Sequence, residues 1–138
     1  MKKQHKKNRS IMQMNLITGL PKKRILLAED NAILRELGKE CLEGCGYLVT
    51  MAQNGQEAID LTEKMNFDLI LLDIQMPILN GFQTIEILSK RQNIPAIMAL
   101  TGFDNLGDPD EYLKAGFVDV LKKPYTINDC KKSISKFL

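Results

Sequence analysis

The run Leu69-Ile70-Leu71-Leu72 constrains this chain most. It is apolar at every position, with no polar alternation, which suits a strand covered on both faces as in a parallel sheet. Asp73 ends the run, and Pro77, Asn80 and Gly81 then turn the backbone into a loop. An acidic side chain therefore stands where a buried strand stops. In open parallel sheets, ligands sit in the crevice outside the carboxyl ends of the strands.

The same grammar repeats along the chain. Ile25 to Ala28 is a short buried strand ending in Glu29-Asp30, and Asn31 caps a helix with Leu34, Leu37, Cys41 and Leu42 on its inner face until Gly44 and Gly46 end it. Tyr47 to Ala52 reads as the second strand, and Asn54-Gly55 opens a helix with Ile59, Thr62 and Met65 inward. After the central strand, Gly81 to Arg91 is a helix with Phe82, Ile85 and Leu88 on one face. Ala96 to Leu100 is the fourth strand, ending in Thr101-Gly102, and Phe103 to Gly107 reads as a loop. Asp108-Pro109 starts a short helix that Gly116 stops. Val118 to Leu121 is the fifth strand, ending at Lys122-Lys123-Pro124. Thr126 with Asp129 caps the last helix, whose inner face is Ile127, Cys130, Ile134 and Phe137 or Leu138. Five strands alternating with five helices predict an α/β domain, a parallel sheet with right-handed crossovers and helices on both faces.

Charge divides the chain. Residues 1–24 hold eight Lys or Arg and no acid, and the other 11 basic residues face all 17 acidic ones, a net charge of −6 for the body. An acidic body argues against nucleic-acid binding by the fold itself. Residues 1–22 read as a basic flexible tail and 23–138 as one folded domain, long enough to bury a core without staples. The apolar residues after the basic start are interrupted by Gln13, Asn15 and Thr18, so neither a signal peptide nor a membrane span is expected. The three cysteines have no CxxC spacing. Cys41 and Cys45 lie four apart on a helix, but with no further Cys or His nearby they read as small buried apolar residues in a reducing cytoplasm.

In a parallel sheet the strand ends bring Glu29-Asp30, Asp73, Thr101 and Lys123 onto one rim. Two carboxylates about 4 Å apart repel by roughly 4 kcal/mol at an effective dielectric near 20. Three of them need cations, and Lys123 supplies one positive charge. A hard divalent ion is the natural second, and few protein oxygens with room for water suits Mg²⁺. A cleft with Mg²⁺, a Lys, a hydroxyl and a strand-end carboxylate fits phosphoryl transfer onto that carboxylate.

The motifs Leu27-Ala28-Glu29-Asp30-Asn31, Leu72-Asp73-Ile74-Gln75-Met76-Pro77 with Asn80-Gly81, Ala99-Leu100-Thr101-Gly102 and Lys123-Pro124, in this order and spacing, resemble the receiver domain of two-component response regulators. The resemblance covers about Arg24 to Leu138. It implies a flavodoxin-like doubly wound five-stranded sheet of order 2-1-3-4-5, a fold for which a chemotaxis regulator of this family is a known example. It further implies Asp73 as phosphoacceptor. On that resemblance Asp30 would hold Mg²⁺ directly and Glu29 mainly through water, with Asp73 and the Gln75 backbone carbonyl as further ligands. Thr101 would move toward the phosphoryl group, Lys123 would pair with it, and the Lys123-Pro124 bond would be cis. The phosphoryl group would come from a sensor histidine kinase or a histidine phosphotransfer protein and water would later remove it, so a self-catalysing switch is expected and not a turnover enzyme.

Two departures from the family pattern stand out. The position three residues before Lys123 is usually aromatic and here is Val120. Leu138 closes the last helix, so signalling is expected by docking to a downstream protein through the 109–115 helix, the fifth strand and the helix after Tyr125. Tyr112, Phe117 and Tyr125 there are either contacts or ordinary packing. The starting Met1 and basic tail point to a free-standing protein, the receiver part of a hybrid kinase being the other arrangement. The rival readings are a phosphate-independent module of the same fold and a haloacid-dehalogenase-like phosphatase. Such a phosphatase carries a second Asp two residues past the first, where this chain has Gln75.

Overall fold

Every apolar run predicted to be a strand is one. In the computed structural model, which describes residues 21–102 and 108–138, the order is β1 (Arg24–Ala28), α1 (Ala32–Gly44), β2 (Leu48–Ala52), α2 (Gly55–Lys64), β3 (Leu69–Asp73), α3 (Gly81–Leu88), β4 (Ala96–Thr101), α4 (Pro109–Ala115), β5 (Asp119–Lys122) and α5 (Ile127–Ser133), closed by a 3₁₀ turn (Ser135–Phe137). The expected tail over 1–22 falls outside the described residues except for Pro21 and Lys22, and so does the expected loop at Phe103–Gly107.

All strand pairs are parallel and the order is β2-β1-β3-β4-β5. This is the parallel sheet that the alternating pattern predicted, in the doubly wound flavodoxin-like order that the family resemblance implied. The central β3 is buried at all five positions, as an uninterrupted apolar run requires. Its alternate residues feed two cores. Ile70 and Leu72 pack with Leu26, Ile85, Leu88 and Phe117 on one face. Leu69 and Leu71 pack with Ile25, Leu42, Met98, Cys130 and Ile134 on the other.

The helix starts follow local chemistry. The side chains of Asn31, Asn54, Asn80, Asp108 and Thr126 each accept a backbone N–H at the start of their helix. Reciprocal capping boxes form at Asn80/Gln83 and Thr126/Asp129. Gly116 takes a left-handed φ of 111° and stops α4. Among the described residues, no helix is long and apolar enough to cross a membrane.

Several faces differ from the sequence reading. Leu37 is 49% exposed, whereas Leu42 and its neighbour Gly38 are buried on α1. The reason is Tyr125, whose ring lies against the bare Cα of Gly38 and rotates the buried stripe toward 38/42. Ile127 is likewise exposed and covers Gly44 from outside. Thr62 is half-buried, its hydroxyl donating back to the Ile59 carbonyl, and Met65 lies beyond the end of α2 as its C-cap. Tyr47 precedes β2, α3 ends at Leu88 before the expected Arg91, and β5 begins one residue later than expected, leaving Val118 exposed. Cys130 is buried as expected, but Cys41 and Cys45 are only partly so. Their thiols donate to the carbonyls of Tyr125 and Ile127, tying α1 to the start of α5.

Gly81 is where the fold most directly supports the end of β3. Its N–H donates to the Ile74 carbonyl at 3.1 Å. A Cβ there would stand 2.7 Å from both the Asp73 carbonyl oxygen and the Ile74 Cα, atoms that no rotamer change can move aside. Gly81→Ala is therefore expected to cost about 1–3 kcal/mol of stability, the usual range for overpacking. A lowered urea midpoint with an unchanged slope would bear this out, and an unshifted midpoint would refute it.

Candidate functional site

The carboxyl ends of the strands converge as the parallel order dictates. Glu29 follows β1, Asp73 ends β3, Thr101 ends β4 and Lys123 follows β5. The Glu29 N–H donates to the Ala52 carbonyl at 3.0 Å, which extends the β1 edge by one residue. Lys123 is fixed through its own N–H, which donates to the Thr101 carbonyl at 2.7 Å.

From that anchor the Lys123 ammonium donates to Glu29 Oε1 and to Asp73 Oδ2, each at 2.8 Å. Both carboxylates are buried, Glu29 at 2% and Asp73 at 3% exposure. Buried acids of this kind persist only when paired and hydrogen-bonded. The remaining oxygens are also engaged: Glu29 Oε2 accepts the Asn31 N–H at 3.2 Å, and Asp73 Oδ1 accepts the Gln75 N–H at 3.0 Å. Asp30 is exposed, yet Glu29, Asp30 and Asp73 each offer a carboxylate oxygen within 4.8 Å of the others. Among the described residues this is the one such group of His, Cys, Asp and Glu side chains, and it contains no cysteine.

The electrostatics favour cation capture. Burial first, and then hydrogen bonding to Asp73, pushes the Glu29 pKa up to about 7 against the pull of Lys123. Burial by itself would lower the Lys123 pKa. The bonds to Asp73 and Glu29 outweigh it, and the ammonium ends above its ordinary value. Three carboxylates against one ammonium leave negative charge uncompensated.

The sequence-predicted residues Glu29, Asp30, Asp73 and Lys123 thus meet. Thr101 lies at the adjacent strand end, buried at 1% exposure, with its carbonyl on Lys123. Gln75 stands two residues beyond Asp73 on the same rim. The Lys123-Pro124 peptide is cis. Sequence reasoning missed Arg35, whose Nη1 donates to the carbonyls of Glu29 and Asp30 at 2.8 and 3.3 Å. The one available signal was a basic residue early in α1, where the helix dipole favours an acid. Tyr112 and Phe117, considered as possible contacts, are core residues at 5% and 2% exposure, packed on Phe82 at centroid distances of 5.5 Å (tilted) and 5.8 Å (edge to face). Val120, at the usual aromatic position, is partly buried against that same core.

Known proteins carry the same pattern. A sequence model described as the response regulator receiver domain matches residues 25–135. The chain is 36% identical over 121 residues to the aerobic respiration control sensor protein ArcB of Escherichia coli K12, covering 86% of this chain but only 15% of that protein. It is 31% identical over 119 residues to the polar-differentiation response regulator DivK of Brucella anthropi, covering 84% of this chain and 96% of DivK. Among solved structures, the receiver domain of the sensor histidine kinase PA1611 from Pseudomonas aeruginosa PAO1 matches at a TM-score of 0.77 and 29% identity, covering 85% of this chain and 98% of that one. That structure has a magnesium ion coordinated in its active-site cleft. A receiver model spanning the whole sheet, and a regulator matched over nearly its full length, make this chain a member of the response regulator receiver domain family.

Proposed function

We propose that this chain is a phosphoacceptor switch in which Asp73 takes a phosphoryl group from the phosphohistidine of a sensor histidine kinase or a histidine phosphotransfer protein. The observation that carries the reading is the Lys123 ammonium, 2.8 Å from both Glu29 and Asp73 within a cluster of three acids. In this reading residues 23–138 form the receiver and residues 1–22 a basic tail, and the protein works in the cytoplasm, altering its docking surface for a downstream protein.

An all-oxygen donor set with uncompensated negative charge fits a hard divalent cation, and the magnesium-bound PA1611 receiver supports Mg²⁺. Glu29, Asp30, Asp73 and the Gln75 backbone carbonyl would hold it. When bound, Mg²⁺ supplies electrophilic stabilisation of the charge spread over the phosphoryl oxygens. A carboxylate oxygen of Asp73 attacks phosphorus as the bond from phosphorus to the donor imidazole nitrogen breaks, and that nitrogen takes up a proton. Lys123 then exchanges its bond to Asp73 for one to a phosphoryl oxygen, and the Thr101 hydroxyl binds another. Water later cleaves the acyl phosphate. Gln75, at the position where an aspartate-nucleophile phosphatase carries its general acid, supports a switch over a turnover enzyme.

Incubation with acetyl phosphate and Mg²⁺ should add one phosphoryl group to the intact protein, mapped to the peptide holding Asp73. Asp73→Asn should remain folded by circular dichroism and take up none. Acid-labile phosphate on that variant would move the acceptor to another carboxylate.

The raised pKa of Glu29 has a consequence in metal-free protein. The stability it contributes is fully present below its ordinary value of 4.5 and is lost as pH rises through about 7. Glu29→Gln cannot titrate, so its urea midpoint should gain on the parent's between about pH 5 and about pH 8 in a chelator. Adding Mg²⁺ at the higher pH should raise the parent's midpoint more than the variant's. Midpoints that run parallel across that range would contradict the assignment of the buried proton to Glu29.

A further inference from the structure

We propose that Arg35 is a positioning residue for the cation site: it fixes the backbone on both sides of Asp30 and so places a carboxylate that, among the described residues, no side chain or backbone donor holds. The inference rests on the reading of Glu29, Asp30 and Asp73 as a divalent-cation site and adds a residue outside the acidic cluster.

The geometry is specific. Arg35 is the fourth residue of α1, and its Nη1 reaches back across the first turn to donate to the Glu29 carbonyl at 2.8 Å and the Asp30 carbonyl at 3.3 Å. These two carbonyls belong to the two peptide units that flank the Asp30 Cα. Each unit is planar, so holding both oxygens fixes the two dihedrals between them. Asp30 needs this more than its neighbours do. Glu29 and Asp73 are buried and tied by side-chain bonds to Lys123. Asp30 is exposed, and among the described residues none donates to its carboxylate, so the held backbone is what fixes its starting point and limits its rotamers.

The alternatives for Arg35 are weaker. A cation near a helix N-terminus opposes the macrodipole, so Arg35 does not serve the stability of α1 through its charge. Nor does charge alone favour a metal: a guanidinium beside the acids repels an incoming divalent ion. What the position gains is the pair of carbonyl bonds.

Those two roles predict opposite signs, which makes the test decisive. Mg²⁺ affinity is measured by calorimetry on the full chain, Arg35→Met and Arg35→Lys, together with amide hydrogen exchange at Asn31 in metal-free protein. If Arg35 positions Asp30, Arg35→Met binds Mg²⁺ about tenfold more weakly, the lower end of the loss when an outer partner of a metal ligand is removed. Arg35→Lys, which keeps a donor, falls between the two. The Asn31 N–H, bonded to Glu29 Oε2, exchanges faster in Arg35→Met, while amides of β3 and β4 are unchanged. Equal or tighter Mg²⁺ binding by Arg35→Met overturns the proposal. Absence of Mg²⁺ binding by the parent would instead overturn the cation-site reading, and unchanged Asn31 exchange would then overturn the role of Arg35 independently.

Discussion

One ammonium holds two buried acids at the edge of this sheet, and the architecture is organised to deliver it. Lys123 follows β5, two strands away from β3, and neighbouring strands lie about 4.8 Å apart. Its side chain must cross the end of β4 to reach Asp73 and Glu29. The crossing is possible because the Lys123 N–H is bonded to the Thr101 carbonyl, which sets the starting point of the stem. Without the ammonium, Glu29 and Asp73 would be two carboxylates at 2% and 3% exposure facing each other, an arrangement that desolvation and repulsion both oppose. The site is thus held poised: it tolerates its own charge only through Lys123, and a cation or a phosphoryl group changes that balance at once.

The parts of the fold that rest on local chemistry were legible in the sequence. Five apolar runs became five parallel strands, and the acids and lysine that end them met because parallel strands present one kind of end on each edge. The helix starts at Asn31, Asn54, Asp108 and Thr126 were legible for the same reason, since each needs only its own first turn, whereas Asn80, read as part of a loop, also caps its helix. What escaped depends on contacts distant in sequence. Leu37 has helical spacing for burial, yet Tyr125, 88 positions downstream, takes the place over Gly38 and turns Leu37 outward. Ile127 is outside because the glycine it covers, Gly44, ends a helix from the opposite half of the chain. Arg35 escaped because its partners are main-chain carbonyls, which every residue has and no motif marks.

The two faces of the sheet are built for different tasks. On one, α1 and α5 are tied across Gly38, Tyr125 and the thiols of Cys41 and Cys45, next to the loop that carries Lys123. On the other, α4 has a single fully buried side chain, Tyr112, grouped with Phe82 of α3 and Phe117 in a triangle of rings. Ala115 is partly buried on the same core, and the remaining residues of α4 are exposed, Leu113 at 58%. Few buried contacts mean low local stability, and elements that move in switching are drawn from that end of the range.

This asymmetry bears on how a receiver with Val120 at the usual aromatic position transmits anything. A side chain at that position here has no ring to rotate, but it packs against the same core as Tyr112, Phe82 and Phe117. Phe82, Tyr112 and Phe117 gather under α4, with ring centroids 5.5 to 6.2 Å apart. Leu100 and Thr101 of β4 pair with Leu121 and Lys122 of β5, so the strand that ends at the site is in register with the strand that carries Val120. In the proposed switch, a displacement at Thr101 would reach β5 through this register, and Val120, packed on the core under α4, would carry it to the helix that Tyr112 and Ala115 hold there.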